Sequence, residues 1–328
     1  MRPFFTKSLF ALTLLVACAG VERRACAQAD YVGTRALGMG EALRANAAGA
    51  AGPLLNPAGM SLSRGYVIEA AYGFRVEDLG HHAFVSIVDS VTSRVAAGLF
   101  YEYIHANPKL GFNWAGGRVD QSKLTREGHA AGLSLSMALG ERFLLGATIK
   151  YLHFDTTAPL PEGTVPSQLT LDTVNGVTFD VGLLVKVHQK FNLAAVGYNL
   201  WDHGSRESPA SLGLALSFMP VPSLSINFDA VTNFTGYKTP VYDPKNPAVI
   251  TKYDFRATAR LGPGFEWLIA NKVPVRAGVV YDSGLSGVYV TGGLGYFSTS
   301  WAIDVSYRGK VAGGIENFLM LGLRIFIN

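Results

Sequence analysis

Charged residues that stand singly among apolar ones are the side chains of this sequence best suited to chemistry. Lys150 and Asp180 each lie in a stretch where every second residue is apolar, and Asp304 and Arg308 repeat the pattern near the carboxyl terminus. Successive side chains of a β-strand point to opposite faces, so charges spaced in this way should share one face of a sheet. The charged residues expected on that face are Glu69, Glu102, Lys150, Asp180, Lys186, Asp229, Arg256, Arg260, Glu266, Arg276, Asp304, Arg308 and Arg324. Because both signs occur, they predict a network of ion pairs in preference to a ring that selects anions or cations.

Catalytic and metal-binding motifs are missing from the sequence. It contains no G-x-S-x-G, no H-E-x-x-H, no Walker loop and no dinucleotide-binding pattern at a strand–helix junction. His81, His82, His129 and His153 fall in or near loops and strand ends, where a polar role is expected more than metal ligation. We therefore expect neither an enzyme nor a metal or cofactor site. A hydrolase that assembled Ser, His and Asp from separate strands would leave no local motif and is the less favoured alternative.

A second candidate feature is a group of apolar residues in the stretch 105–126, which is predicted to form an external loop. The group consists of Leu110, Phe112 and Trp114. Apolar side chains in a solvent-facing loop could capture a hydrophobic molecule. Packing of the loop on itself explains them equally well, so both interpretations stay open.

Composition indicates what kind of scaffold must position these residues. Charged residues make up 16% of the chain and the mean hydropathy is +0.23, whereas soluble domains contain roughly 25% charged residues. The longest nearly pure apolar run, residues 9–20, is shorter than the roughly 20 residues that a helix needs to cross a bilayer. Since backbone polar groups must all be paired in lipid, a closed β-barrel is the remaining way to span a membrane.

The amino terminus reads as a secretory signal peptide over residues 1–27. Arg2 and Lys7 form its basic end, an apolar stretch follows, and Ala25-Cys26-Ala27 supplies a cleavage site. The alternative is lipidation of Cys18, which follows a lipoprotein-like Leu15-Val16-Ala17. Removal of residues 1–27 takes away four basic residues and one acidic residue, which leaves 24 basic and 23 acidic residues and a net charge of +1. The mature chain therefore lacks the basic character of a nucleic-acid partner.

Period-two alternation recurs from residue 65 to the end and predicts strands with one apolar and one polar face. The lipid-facing side should include Leu133, Leu135, Ile149, Val181, Ile226 and Val305. Short links alternate with longer ones near 105–126, 155–173 and 235–252, as in barrels with tight periplasmic turns and long external loops. Gly262-Pro263-Gly264 interrupts one run without changing its phase, so we predict a single strand with a bulge or kink there. The count is then 14 antiparallel strands. The faces of the runs 82–89 and 191–201 stay undecided.

The segment before the first strand is unusually rich in small residues. Of the 28 residues 33–60, six are Gly and eight are Ala. Small side chains let a chain fold compactly inside a confined lumen, and Asn56-Pro57-Ala58-Gly59 has the residues of a capped turn or short helix. We predict an N-terminal plug over residues 28–64, followed by a barrel over residues 65–328. A flexible periplasmic tail is the alternative.

The stretch "TRALGMGEALRANAAGAAGPLLNPAGM" resembles the amino-terminal signature of the FadL-type long-chain fatty-acid transporters of the outer membrane. Its two more specific parts are Gly38-Met39-Gly40 and Asn56-Pro57-Ala58-Gly59. The stretches "LLGATIKYLHF", "FDVGLLVKV", "LAAVGYNLWD" and "VPVRAGVVYD" are similar to strands of the same superfamily. The resemblance implies an all-β fold, namely a 14-stranded antiparallel transmembrane barrel with a short N-terminal plug in its lumen.

The resemblance also implies a location and a role. The location is the outer membrane of a Gram-negative bacterium, with its lipid as a partner. The role is passive uptake of a small hydrophobic compound through the plugged lumen. The alternative comes from relatives in type IX secretion: an assembly partner without transport that holds a secreted surface protein. The mature chain, 328 − 27 = 301 residues, is shorter than the fatty-acid transporters. It also ends in Phe326-Ile327-Asn328 where many such barrels end on an aromatic residue.

Overall fold

The computed structural model describes residues 33–107, 113–114, 117–118, 125–159, 168–205, 208–243 and 246–327. The predicted signal peptide, its cleavage site and the alternative lipidation at Cys18 lie outside the described residues. Among the described helices, none is both long and apolar enough to cross a membrane.

Fourteen antiparallel strands form one closed barrel. In chain order they are β1 (Tyr66–Arg75), β2 (Gly80–Asp89), β3 (Val95–Ala106), β4 (Thr125–Leu139), β5 (Phe143–Pro159), β6 (Gln168–His188), β7 (Phe191–Tyr198), β8 (Ser211–Val221), β9 (Leu224–Asp243), β10 (Asn246–Ile269), β11 (Val273–Asp282), β12 (Gly287–Phe297), β13 (Trp301–Ala312) and β14 (Asn317–Ile327). Each strand pairs with its neighbours in the chain, and β14 closes on β1 with Tyr66 opposite Ile327. The predicted fold class and strand number are confirmed.

The outer face of the barrel is apolar. The six residues predicted to face lipid (Leu133, Leu135, Ile149, Val181, Ile226 and Val305) have between 43% and 56% of their surface exposed. Aromatic side chains are exposed towards both ends of the wall, including Tyr72, Tyr101 and Tyr151 on one side and Phe143, Trp267 and Trp301 on the other. An outward apolar band between aromatic girdles is typical of outer-membrane barrels.

The structure decides the faces of the two undecided strands. In β2 the alternate residues His82, Phe84, Ser86 and Val88 are buried and face the lumen. In β7 the buried set is Asn192, Ala194 and Val196. Both inward sets mix polar with apolar residues, which explains why hydropathy alternation could not distinguish the two faces.

Two of the predicted long loops are largely strand. The stretches 155–173 and 235–252 belong mostly to the β5–β6 and β9–β10 hairpins, whose ladders continue to Pro159–Gln168 and Asp243–Asn246. Threonine is frequent on the β5–β6 extension, and β-branched residues favour extended backbone even where no lipid covers them. The third stretch, 105–126, contains a two-residue ladder between Asn113–Trp114 and Gly117–Arg118.

The Gly262-Pro263-Gly264 sequence lies within the single strand β10, as predicted. Of the predicted bulge or kink, a bulge is absent. Pairing with β11 stops after Leu261–Tyr281 and resumes at Gly264–Gly278 without a register shift. Proline has no N–H to donate to a ladder, so the pairing lapses over two residues while the strand continues.

Residues 33–62, here called the lumenal segment, lie inside the barrel. They comprise helix α1 (Gly33–Leu37), helix α2 (Gly52–Leu55) and three 3-10 turns, Arg44–Asn46, Gly49–Ala51 and Pro57–Leu62. Leu37, Met39, Leu43, Leu55 and Met60 are at most 1% exposed. Elements this short have little stability of their own, so packing against the barrel wall must fix their conformation.

Candidate lumenal site

The lumenal segment follows the inner wall around the barrel. It starts beside β13, where the Ser306 hydroxyl donates to the Thr34 carbonyl over 2.7 Å. It passes β12, where the Gly40 amide donates to the Thr291 hydroxyl over 2.8 Å. It reaches β4, where Ser136 donates to the Ala58 carbonyl over 3.1 Å. The segment therefore touches the wall on most sides of the lumen instead of hanging from one strand.

Residues 33–44 of the segment, its charged half, form ion pairs with the wall. Arg35 lies 2.7 Å from Glu266, and Arg44 lies 3.0 Å from Asp229. Glu41 bridges two wall arginines, with Arg260 at 2.9 Å and Arg308 at 2.8 Å. Further wall pairs extend this network: Arg276 with Glu266 and Asp304, Arg260 with Asp282, Arg308 with Glu316, and Arg324 with Asp304. The ion pairs expected from the mixed charges are thus present.

Two details show how firmly this half is fixed. Glu41 has a φ of +62°, a conformation that costs a residue with a side chain roughly 1–2 kcal/mol. It directly follows Gly40, whose φ is +64°, so the two form a tight turn that aims the carboxylate at its arginines. The pKa of Arg44 is raised: burial alone would lower it, but the interactions with Tyr198 and Asp229 outweigh burial. Arg44 therefore stays charged.

Residues 45–62, the apolar half, contain no charged side chain. Asn56 shapes this half, accepting from the Ala58 amide over 3.1 Å and donating to the Arg44 carbonyl over 3.0 Å. The wall approaches closely at two glycines. A Cβ on Gly182 would overlap the Asn56 side chain, and one on Gly146 would overlap the backbone of Pro57 and Ala58. Glycine at these positions gives the chain room to lie flat on the wall.

A cavity of about 100 Å³ lies between the lumenal segment and the wall. Its apolar lining consists of Pro53, Leu54, Phe100, Ala130 and Leu152, with Val231 and Pro209. Its polar lining consists of Arg44, Glu102, Lys150, Asp180, Tyr198, Asn199, Ser208, Ser211, Asn233 and Arg260. Since an engineered apolar cavity of about 150 Å³ binds benzene, this space is of the order of one small ring.

The charges that line the cavity are paired. Lys150 lies 2.7 Å from Asp180, and Glu102 pairs with His82. Arg44 and Arg260 belong to the network described above. Burying a charge is costly unless a partner and hydrogen bonds compensate it, so these pairs allow a polar lining inside a lumen of low dielectric constant.

One side of the cavity is closed by a loop instead of a sheet. β7 ends at Tyr198 and β8 begins at Ser211, whereas the flanking strands β6 and β9 extend further. Loop residues bridge the flanking strands: the Asn199 amide donates to Asp180 over 2.8 Å, and Thr235 donates to Asp202 over 3.0 Å. Asn199, Ser208 and Pro209 of this loop also line the cavity.

The predicted plug residues Gly38, Met39, Gly40, Asn56, Pro57, Ala58 and Gly59 are all buried within the lumenal segment. Of the predicted lumen-facing charges, Glu102, Asp180, Asp229, Arg260, Arg276, Asp304 and Arg308 are buried, and Lys150, Lys186 and Glu266 are half-buried. Arg256 is exposed; it lies beyond the irregularity in the β9–β10 pairing, between Asn233 and Tyr237, so the closed wall no longer covers it.

Some predicted residues cannot be placed, and some site residues were missed. Leu110 and Phe112 lie outside the described residues, and only the backbone of Trp114 is described. The sequence analysis predicted no role for Glu41 and Arg44, because they lie in a stretch whose composition is dominated by Gly and Ala. Tyr198 was missed because its strand could not be assigned a face. In the described part of the chain, no group of three or more His, Cys, Asp or Glu could hold a metal ion.

Fold and lumen together define a closed fourteen-stranded barrel of the outer-membrane type with an amino-terminal segment in its lumen. Solved structures share this fold. The toluene transporter TbuX of Ralstonia pickettii has a TM-score of 0.68 at 14% identity, with 90% of this chain and 98% of that chain covered. A FadL homologue of Pseudomonas aeruginosa has a TM-score of 0.66 at 13% identity, with 93% and 99% covered. The toluene transporter TodX of Pseudomonas putida has a TM-score of 0.65 at 13% identity, with 92% and 98% covered.

The resemblance to FadL-type proteins is thereby confirmed at the level of the fold. No protein-family model matches the sequence, and no curated protein matches it. At this identity the likeness shows the fold alone.

Proposed function

We propose that this protein carries small hydrophobic compounds across the outer membrane of a Gram-negative bacterium, with the lumenal segment as the plug of the barrel. The observation that carries the proposal is the cavity of about 100 Å³ with a partly apolar lining, held between the segment and the wall. The named substrates of two structures with this fold, both toluene transporters, support the same size and polarity of solute.

The cavity explains how an apolar solute could pass where water and ions are held back. Pro53, Leu54 and Phe100 remove apolar surface from water, which favours binding by roughly 25 cal/mol per Å². A polar solute gains nothing from these residues and must compete with the ion pairs of the polar lining. Transport of this kind is passive, since it requires only a concentration gradient and a site that the solute can enter and leave.

The loop 199–210 is the part of the cavity wall that opens at least cost. A strand could leave the wall only by breaking its ladder with both neighbours, whereas the contacts described for the loop with β6 and β9 are separate hydrogen bonds and not a ladder. One is between His203 Nε2 and the Val177 carbonyl, at 3.1 Å. Trp201 in this loop is 65% exposed on the outside. An apolar solute released on this side would enter the bilayer instead of the periplasm.

A matched pair of variants tests the proposal. Ala130 lines the cavity and is 3% exposed, and its neighbour Ala131 is exposed on the outer face. Ala130→Trp should fill the cavity and lower toluene uptake by about tenfold or more, since 1.4 kcal/mol in binding suffices for that factor. Ala131→Trp should leave uptake unchanged. Uptake is measured in cells that carry each variant at equal folded amounts. Equal rates in the two variants, or no uptake above cells without the protein, would contradict the proposal.

The alternative role, holding a secreted surface protein, depends on external surfaces around residues 108–124 and 160–167, which lie mostly outside the described residues. Nothing in the described part of the chain favours it over transport.

A further inference from the structure

The polar lining of the cavity contains hydrogen-bond acceptors that no group of the described residues uses. Glu102 Oε2, Asn199 Oδ1 and Ser208 Oγ are buried oxygens with no hydrogen-bond partner among the described residues, and all three residues line the cavity. Glu102 is 1% exposed and Ser208 is 3% exposed. A buried polar atom that makes no hydrogen bond is unfavourable, so a group that donates a hydrogen bond to it would be bound preferentially.

The cations of the same cavity are already engaged. Lys150 lies 2.7 Å from Asp180, and Arg44 is bonded to Asp229 and donates to the Tyr198 hydroxyl over 2.7 Å. Arg260 is paired with Glu41 and Asp282. A carboxylate ligand would have to compete with these acids for a cation. A cationic ligand would likewise have to compete with these cations for their acids.

The unused acceptors share the cavity with an apolar lining of a size suited to one ring, and Glu102 lies beside it, two residues from Phe100 on β3 and opposite Ala130 in the pairing with β4. Phe100 and Pro53 present flat apolar surfaces, against which an aromatic ring packs well. A neutral ring with one hydroxyl group would suit both kinds of lining, because its ring replaces water against the apolar residues while its hydroxyl donates to an oxygen.

We propose that the cavity selects neutral one-ring compounds that carry a hydroxyl group, that is, simple phenols. Glu102 accepts the hydrogen bond that this hydroxyl group donates. This inference rests on the proposed function and narrows its substrate class. Asn199 and Ser208 offer the neighbouring acceptors. Phenols should bind better than pure hydrocarbons because only phenols can donate a hydrogen bond to the unused oxygens. They should bind better than aromatic acids because the cations that would hold a carboxylate are already paired.

Four compounds built on one ring separate these classes: p-cresol, its methyl ether, toluene and p-toluate. p-Cresol carries a hydroxyl group that can donate a hydrogen bond, and its methyl ether carries an oxygen that can only accept one. Toluene has no polar group, and p-toluate carries a negative charge. Binding to the full-length protein in lipid nanodiscs is measured by calorimetry against empty nanodiscs. The expected result is that p-cresol binds about fivefold more tightly than its methyl ether, as for one hydrogen bond of ordinary strength, and that p-toluate binds most weakly.

Glu102→Gln tests the acceptor itself. Since His82 occupies the other carboxylate oxygen, the amide nitrogen should replace Oε2 and convert the acceptor into a donor. The preference for p-cresol over its methyl ether should then disappear, and Ser208→Ala should reduce it by a smaller factor. Glu127→Gln, an exposed glutamate of β4 outside the cavity, should change nothing. Heat-modifiable migration on gels confirms that each barrel is folded.

The outcomes separate this inference from the proposed function. If p-cresol and toluene bind equally well in the wild type, or if p-toluate binds best, the phenol inference is wrong while transport of one-ring compounds stands. If Glu102→Gln folds and keeps the full preference, Glu102 is not the acceptor and the inference is overturned. If none of the four compounds binds, both the inference and the proposed function fail.

Discussion

The charged half of the lumenal segment is joined to strands β9, β10 and β13 through ion pairs. The apolar half contacts the wall through hydrogen bonds that wall side chains donate to its carbonyl groups, and through close packing. In the charged half, the single residue Glu41 is paired with two buried arginines, Arg260 and Arg308. In the apolar half, the corresponding contacts are neutral. The Ser136 hydroxyl donates a hydrogen bond to the Ala58 carbonyl, and the Asn56 side chain packs directly against Gly182.

This difference indicates a division of roles within one segment. Losing a partner in the charged half leaves buried charges without compensation, so that half is expensive to move. The apolar half exposes only neutral groups when it shifts, and its Pro53 and Leu54 form part of the cavity lining. We therefore expect the charged half to act as the anchor and the apolar half as the adaptable side of the binding site.

The largest effect should come from removing both halves. Deletion of residues 33–60 should leave a folded barrel with an open lumen, because the strands pair with one another and not with the segment. Single-channel conductance in planar bilayers should rise well above that of the full-length protein. A folded deletion variant with unchanged conductance would show that the segment does not block the lumen.

The anchor is tested by Glu41→Ala. The substitution leaves Arg260 and Arg308 without one of their acids, and breaking a buried ion pair by removing one partner costs about 3–5 kcal/mol. The free energy of unfolding in lipid vesicles, measured by urea titration, should fall by this order. Glu127→Ala on the exposed rim is the control and should change it by less than about 0.5 kcal/mol. Similar losses of the free energy of unfolding in Glu41→Ala and Glu127→Ala would contradict the role of the charged half as the anchor.

Close packing of the apolar half is tested by Gly182→Ala. The added methyl group would overlap Asn56, and overpacking of this kind costs about 1–3 kcal/mol. Gly292→Ala is the matched control, since its added Cβ would meet only the Arg276 carbonyl oxygen, at 3.9 Å. A loss in Gly182→Ala as large as in Glu41→Ala would mean that packing anchors the segment as firmly as charge does.

The smallest effect is expected for Ser136→Ala. Its hydroxyl donates to the Ala58 carbonyl and lies 2.8 Å from the Ser61 hydroxyl, and such a bond contributes about 1 kcal/mol. Ser86→Ala is the control, because the Ser86 hydroxyl is buried with no hydrogen-bond partner among the described residues. The urea midpoint should fall for Ser136→Ala and stay or rise for Ser86→Ala. A urea midpoint that falls more for Ser86→Ala than for Ser136→Ala would contradict the contact between the apolar half and β4.

Strand number, strand faces and membrane class could be predicted from the sequence because they depend on local periodicity. Leu133 and Leu135 alternate with serines, and the lipid requires an apolar outer face wherever a strand crosses it. The same rule fails where the lumen accepts both kinds of residue, as at Phe84 and Val196, which are apolar and yet buried inside. It fails again beyond the bilayer, where β5 and β6 continue as a paired hairpin through a stretch predicted to be a loop.

By itself, then, the sequence determined a fourteen-stranded membrane barrel preceded by a compact segment of small residues. Only the tertiary structure decided which charges meet, where the cavity lies and which oxygens remain unused. Glu41 and Arg308 are 267 positions apart, and no local pattern encodes a contact over that distance. The physical reason is that closing the barrel brings side chains of distant strands to one small volume, where each charge takes the partner that the wall presents to it.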